Sequence, residues 1–499
     1  MGSITTRIRE LARGVRPFHI GFALYLAFSF SYLHDVMPLT GEAGLSEAAP
    51  AWYLGIFFSV KIIVFAACAI AAYRRPGFLA TSTLSICAAL LIVIGIALST
   101  IILRATGFSF GPSESTLMLA IAACLLGAGD ALMLLLWGRF CGTLSLRAVY
   151  IFVLSSYIVS LLFYTLIVEL PPLIMLAIAV VGIAIVPIML KKSMAARTVE
   201  ISPPTSSSLR KAAASLWRPV FITATFAFMS NLTLFVSGQQ SVNVDEARIT
   251  STVVTLLVVV AMILPAALFS RRVDIGLAYR IALPIAAGGF LLLAFFWNGG
   301  GGFANSMVAM GWLISDVISW CIVANVVYQT KLPAFILYGA SEAVIGFASL
   351  LGIVIGFFFS GFIETSSVAI MALALVAVYL LSTIVLFILK DRTIAGYTVD
   401  QPGDGVAVGK AGYAAGEQAP TNEDGFDERC RMLSDQAQLT PRESDILRCL
   451  AQGRSTQYMA EKFTVSENTV KSHVKNVYQK LGVHSKQDVI DIVNEDPKA

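Results

Sequence analysis

Charge is scarce in this chain. Asp, Glu, Lys and Arg make up 13% of its 499 residues, where an ordinary soluble domain carries about a quarter. A chain this poor in charge and 57% hydrophobic, with a mean hydropathy of +0.79, is a polytopic membrane protein rather than a soluble globular one. Histidine is rarer still, at four residues. The seven cysteines (Cys68, Cys87, Cys124, Cys141, Cys321, Cys430 and Cys449) include no CxxC pair and none near a metal-like His spacing. They read as buried apolar side chains or free thiols, and no metal site is expected. There is also no nucleophile–base constellation and no phosphate loop, so neither an enzyme nor a cofactor is implied. A cleavable leader is missing too: Arg7 to Arg16 run into a long apolar span without a small-residue cleavage site. The net charge of +4 is too small to argue for nucleic acid by itself.

What is present is a series of apolar runs, each about 20 residues or more, enough to cross a bilayer. They fall near 18–38, 51–73, 79–103, 115–138, 148–168 and 171–190, and again near 219–238, 249–269, 279–297, 303–329, 335–360 and 367–389. This predicts twelve spans divided six and six. Basic residues occupy alternate loops: Arg7 to Arg16, Arg74 and Arg75, Arg139 and Arg147, Lys191 to Lys211, Arg271 to Arg280, Lys331, and Lys390 with Arg392. The intervening loops are acidic or neutral, with Arg104 and Arg248 as exceptions. By the positive-inside rule both termini are then cytoplasmic, which in a bacterial cell means the inner membrane. Twelve spans, a 6+6 division and a basic central loop resemble the major facilitator superfamily. That family's Gly-Asp-Arg loop is not intact here, where Tyr73-Arg74-Arg75-Pro76-Gly77 and Ser270-Arg271-Arg272-Val273-Asp274 stand instead. The departure weighs against active transport more than against the fold.

Four ionisable side chains lie inside predicted spans: Lys61, Asp130, Asp316 and Glu342. Such groups are costly in hydrocarbon and usually face an interior. Spans four and ten are counterparts in a two-half fold, so Asp130 and Asp316 are candidates for one central ligand pocket, with Lys61 as partner. The other reading is a Lys–Asp pair that only holds helices together. Trp137, Trp312, Trp320, Tyr157 and Asn231 could wall a pocket or be ordinary lipid-facing and belt residues. Gly346, Gly352 and Gly356 read as close-packing surfaces.

The last part of the chain changes character. From Thr393 to about Glu428 it is rich in Gly and acids and poor in large apolar residues, so residues 390–438 are read as a flexible linker. About 40 such residues would reach roughly 35 Å. From Leu439 to Val493 four short amphipathic helices can be read. Thr440-Pro441-Arg442-Glu443 is a capping box with Pro at the first helical position. A second helix follows Ser455 or Thr456 and ends near Phe463. The third carries Val470, Val474, Val477 and Leu481 at helical spacing and closes at Gly482, and Ser485-Lys486-Gln487-Asp488 opens the last. Helices two and three lie about three residues apart, which is helix-turn-helix spacing.

This segment resembles the LuxR/FixJ-type DNA-binding domain through Leu439-Thr440-Pro441-Arg442-Glu443, Gly453, Ala460, Val465-Ser466, Thr469-Val470-Lys471, His473-Val474 and Lys480-Leu481-Gly482-Val483. The resemblance implies that its third helix enters the major groove. Lys471, Ser472 and Lys475 would then face base edges, with Thr469, His473 and Lys480 nearer the backbone. On an isolated helix these lysines would read as a solvated face. Tyr458-Met459 departs from the family's usual charged residue and Ile. The resemblance also implies a homodimer on DNA through the last helix, on the face of Val489, Ile490 and Val493, which could equally be the domain's own core.

The expected fold is therefore all-α: a twelve-helix membrane bundle plus a small four-helix domain. Its parts are a basic N-terminus 1–17, a first half 18–190, a central loop 191–218, a second half 219–389, the linker 390–438 and the helix-turn-helix 439–494. The expected function is a membrane-embedded one-component transcriptional regulator. It would sense an unidentified small molecule through its lipid-embedded spans and bind double-stranded promoter DNA through its tail. The alternative is a secondary transporter with a regulatory tail.

Overall fold

Hydrocarbon offers no water to satisfy peptide N–H and C=O groups, so an apolar chain crosses it as helix, with every backbone bond made within the segment. The computed structural model follows that rule. It describes residues 19–34, 48–75, 82–104, 111–195, 201–237, 244–268, 273–274, 288, 301–363, 398–399, 423–452, 456–463, 465, 467–483 and 486–494. Two compact units divide the chain, Met1–Ala411 and Gly412–Ala499.

The first unit contains α1 (Ile20–His34), α2 (Ala49–Arg74), α3 (Ser82–Arg104), α4 (Pro112–Cys141), α5 (Leu146–Ile167) and α6 (Pro172–Ala195). It continues with α7 (Ser206–Ser237), α8 (Val244–Leu268), α9 (Gly301–Thr330) and α10 (Ala334–Ile363). Among the described residues, eight of these are long and apolar enough to span a membrane, and Ile20–Phe30 and Ile249–Leu264 form shorter apolar helices. The expected spans 279–297 and 367–389 lie outside the described residues, as do the N-terminus 1–17 and most of the linker. A two-residue antiparallel bridge, Val273 with Val399 and Asp274 with Thr398, is a small departure from an all-α unit.

The packing repeats itself. In the first half α1 packs on α5 and α2 on α4, and in the second half α7 packs on α10 and α8 on α9. Counting α9 and α10 as spans ten and eleven, these are equivalent pairs of one six-helix pattern used twice. The halves meet where α10 lies along α2 and where α8 lies along α5. Tyr150 of α5 ties the second seam by donating to the Met262 carbonyl across it at 2.9 Å.

One boundary differs from the sequence reading. The central loop 191–218 is largely helical, because α6 runs on to Ala195 and α7 begins at Ser206. The start of α7 is a reciprocal cap: the Ser208 amide donates to Thr205 Oγ1 at 3.2 Å and the Thr205 amide to Ser208 Oγ at 3.1 Å. The helix then buries Ala212 and Leu216 while exposing Arg210 and Lys211, an amphipathic turn below the apolar span that hydropathy alone cannot see.

Glycines set how closely α10 lies on its neighbour. A Cβ at Gly352 would stand 2.4 Å from the Phe228 carbonyl oxygen of α7, and one at Gly356 would stand 3.0 Å from that of Leu232. Forcing extra atoms into a packed contact costs about 1–3 kcal/mol. Gly352→Leu is therefore expected to lower the thermal midpoint of the detergent-solubilised protein. Gly55→Leu is expected to leave it unchanged, since nothing lies within 4 Å of a Cβ there.

Candidate functional site

In the membrane unit an ion pair joins two of the residues picked from sequence. Lys61 on α2 reaches Asp130 on α4, with Nζ to Oδ2 at 2.6 Å. The Tyr25 hydroxyl of α1 donates to the other oxygen of the same carboxylate, Oδ1. Asp130 is 1% exposed, and a buried carboxylate needs partners such as this cation and hydroxyl to offset its lost hydration. The rings of Phe57, Phe58 and Phe65 stand 5.2, 5.7 and 5.7 Å from Lys61 Nζ, adding cation–π attraction and excluding water.

Asp316 on α9 and Glu342 on α10, the other two acids picked from sequence, are partly buried in the second half. Of the four residues, the structure shows Lys61 and Asp130 in direct contact. Lys61 is committed to Asp130, while Asp316 and Glu342 keep partial exposure deep in the bundle. Among the aromatic candidates, Trp137, Trp320 and Tyr157 are inside the protein rather than in a lipid belt. Asn231 donates to the Ala227 carbonyl of its own helix at 2.9 Å and packs where Gly352 approaches α7.

The second unit is built on α12 (Pro441–Ala451), α13 (Thr456–Phe463), α14 (Glu467–Leu481) and α15 (Lys486–Asn494), each within one or two residues of its sequence expectation. Thr440 and Glu443 form the full capping box: the Glu443 amide donates to Thr440 Oγ1, and the Thr440 amide to Glu443 Oε2 at 2.9 Å. Arg442 donates to the Phe463 carbonyl at 2.9 Å and stacks 4.3 Å over the Phe463 ring. It thereby places a cation at the C-terminus of α13 and fixes that helix against α12. Val470 and Val477 are fully buried in the domain core, with Val474 and Leu481 packed against it. Met459 fills the same core at 0% exposure while Tyr458 points outward at 38%, so the departure at this pair leaves the interior apolar. Gly482 ends α14 at φ 68°, a left-handed turn that suits glycine.

The opposite face of α14 presents Thr469, Lys471, Ser472 and Lys475 to solvent, with His473 half-buried at its margin. Lys480 differs. Its ammonium is held within the domain, 2.8 Å from Glu443 Oε2 and 3.2 Å from the Gln438 carbonyl. That bond and the Thr440 amide hold the Glu443 carboxyl down at about 2, well below the usual carboxylate range.

Two readings of this unit change. Residues 423–436, expected as linker, form an additional helix, α11 (Glu423–Gln436), which packs on α12 and α15. Its anchors are Cys430, 2% exposed, and Leu433 against the core. The signal for it in the sequence is slight: Phe426, Cys430 and Leu433 at helical spacing within an otherwise polar stretch. Val489 and Val493 are each 1% exposed in the single chain, so their face of α15 is the domain's own core, and only Ile490 of the three keeps some surface.

Residues 437–493 match the family described as bacterial regulatory proteins, luxR family. The C-terminal unit carries a LuxR-type helix-turn-helix domain. Its relatives include the nitrate/nitrite response regulator protein NarL of Escherichia coli strain K12, 39% identical over 59 residues, covering 12% of this chain and 27% of that protein. The Fimbriae Z protein of the same strain is 45% identical over 53 residues, covering 11% of this chain and 25% of that one. The chain therefore spans about a quarter of the length of these relatives. A solved bacterial homologue of iron transporter ferroportin, in an outward-facing state, aligns with 78% of this chain and 100% of its own, at TM-score 0.52 and 13% identity. A major facilitator superfamily proton:xylose symporter aligns with 74% of this chain and 95% of its own, at TM-score 0.44 and 12% identity. The LuxR-type domain is thus carried on the same chain as a helical bundle whose fold resembles that of the ferroportin homologue.

Two outcomes follow from these bonds. Breaking a buried ion pair by removing one partner costs about 3–5 kcal/mol, whereas replacing both partners by apolar residues is often neutral or stabilising. Asp130→Asn or Lys61→Met alone should therefore sharply lower the melting point in detergent, and Lys61→Met/Asp130→Leu should recover it. In the C-terminal unit expressed alone, the depressed Glu443 carboxyl contributes stability above its unfolded value of about 4.3, and that contribution is lost as pH falls toward 2. The melting-point gap between wild type and Glu443→Gln should be full at pH 7 and close across that acid window.

Proposed function

We propose that this protein is a membrane-embedded one-component regulator that reads a small molecule through its helical bundle and acts on promoter DNA through its LuxR-type domain. The observation that carries the reading is the exposed lysine face of α14 on the same chain as a transporter-like bundle with a closed charge cluster. Lys471 and Lys475 stand one turn apart on that face, so both can enter one major groove and donate to guanine O6 or N7. Ser472, Thr469 and His473 flank them as backbone or base contacts, and Lys480 supports the fold of the domain from within. The ligand site is assigned to Lys61, Asp130, Asp316 and Glu342, with Lys61–Asp130 as its fixed part.

Alternating loop charges support both termini in the cytoplasm and the bundle in the inner membrane, surrounded by lipid. That orientation gives the LuxR-type domain access to chromosomal DNA. A homodimer on DNA fits the two-fold symmetry of helix-turn-helix sites. With Val489 and Val493 used in the core, its contact must come from the remaining surface of α15, including Ile490.

The alternative, a secondary transporter with a regulatory tail, draws on the same intramembrane carboxylates. Crosslinking the intact protein to chromosomal DNA in its host, with transcription read in the same cells, separates the two. Discrete promoter peaks are expected for wild type. Each base-contacting side chain is worth about 1–3 kcal/mol, so Lys471→Ala/Lys475→Ala should erase the peaks and the transcriptional response. Absence of peaks in wild type across growth conditions would favour transport.

A further inference from the structure

The helix α11, which the sequence reads as linker, ends in a closed elbow. The Leu439 amide donates to the Ser434 carbonyl at 2.9 Å and the Gln438 amide to the Asp435 carbonyl at 3.3 Å, with Gln438 at φ 49°. This is a Schellman stop, whose left-handed position usually goes to glycine. A glutamine there is disfavoured by its own Cβ, so surrounding contacts have to hold it. Leu433 and Leu439, on either side of the elbow, both pack against the core of the unit. Ser434 is buried with them.

One more contact closes the elbow, and it comes from α14. Lys480 Nζ, in the last turn of that helix, donates to the Gln438 carbonyl at 3.2 Å and to Glu443 Oε2 at 2.8 Å. Glu443 in turn caps the start of α12. A single ammonium therefore joins the end of α11, the start of α12 and the end of α14. The helix α11 depends on its docking. It has 14 residues, Gly425 among them, and helices shorter than about 12–15 residues are marginal in water without tertiary packing. It is helical while it lies on α12 and α15, and it loses that support when undocked. In chain order, among the described residues, it is also the first helix of this unit after the membrane bundle.

We propose that α11 is the coupling element of the C-terminal unit, and that Lys480 is the positioning residue through which it acts. Docked, α11 keeps the elbow closed and gives Lys480 its second partner. That fixes the end of α14, and with it the angle at which Lys471 and Lys475 are presented. Undocked, α11 melts and the Gln438 carbonyl leaves Lys480. The helix α14 then loses this restraint while its core contacts at Val470 and Val477 persist. The proposal rests on the reading of the unit as a DNA-binding domain governed from the membrane bundle, and it supplies the regulation: a pull on the chain ahead of Glu423 weakens DNA binding by undocking one helix. Such linkage is reciprocal, so loosening either end must loosen the other.

Hydrogen–deuterium exchange of the full-length protein in detergent tests the coupling from both ends. Gln438→Val puts a β-branched residue in the left-handed position and opens the elbow, whereas Lys480→Met removes the tie. Each is expected to speed exchange at least about fivefold, the lower end of typical couplings, in both α11 and the last turn of α14. Amides from Val470 to Val477 should stay slow, which reports that the unit remains folded. Gln438→Gly suits the elbow and keeps its carbonyl, so both regions should stay at or below the wild-type rate. The pair Gln438→Val/Lys480→Met should loosen them no further than Lys480→Met alone. Promoter crosslinking in the host should follow, with peaks weakened at least about fivefold in Gln438→Val and kept in Gln438→Gly. Exchange that rises in only one of the two regions, additive effects in the double variant, or undiminished peaks in Gln438→Val would overturn the inference. Absence of peaks in wild type would instead overturn the proposed function, and exchange alone would then decide the coupling. Should one variant unfold the unit, the other tests the same link from the opposite end.

Discussion

An ammonium group inside a bilayer-spanning helix can be tolerated only if something meets it. Lys61 sits in the middle of α2, and the carboxylate that meets it stands on α4, itself held by a hydroxyl from α1. Three helices of the first half are therefore positioned by one desolvated charge. Because the cost of an unmet charge in such surroundings runs to several kcal/mol, the bundle cannot slide these helices past one another by a turn without losing it. Apolar packing alone has no such preference, since Leu against Leu is nearly the same one turn along.

The same principle, used in the opposite way, shapes the C-terminal unit. Here water is available, and the bonds that matter are those that finish helices. Thr440 and Glu443 close the start of α12, Arg442 closes the end of α13, and Lys480 ties α14 back onto Glu443. A helix-turn-helix works by presenting one helix at a fixed angle, and these four side chains brace it from behind while Lys471 and Lys475 stay exposed on its outer face.

Much of this was legible beforehand, for reasons that differ by region. The four helices of the LuxR-type domain announce themselves by short-range signals: a capping box at Thr440, valines at helical spacing from Val470 to Val477, glycine at 482. Such signals act within one turn, so they are readable without tertiary knowledge. The described spans were readable from length and apolarity, and a pairing of Lys61 with an aspartate was one of two readings that the cost of an unmet charge left open. What could not be read depended on distant partners. Tyr25 meets Asp130 across 105 residues of chain, and nothing local distinguishes it from any other tyrosine in a span. Lys480 reads as a cation near the DNA backbone, and nothing local shows that Glu443, 37 residues earlier, also meets it. The helix α11 was hidden because its polar composition resembles linker, and only its docking through Cys430 and Leu433 makes it fold. The early start of α7 was hidden because hydropathy marks where a helix is greasy, not where it begins.

The internal bond of Lys480 also alters how this domain would respond to its ionic surroundings. Binding to duplex DNA draws much of its free energy from cations released when protein charges replace them along the phosphates, with a slope of about −0.9 in log affinity per log salt for each contact. A tally of basic residues on α14 would count Lys471, Lys475 and Lys480 alike. Yet the charge of Lys480 is already met by a carboxylate of its own domain, so its contribution to counterion release should be smaller than that of Lys471 or Lys475. The domain should therefore grip DNA with a gentler dependence on salt than its sequence advertises, and hold more of its affinity as the surrounding salt becomes more concentrated.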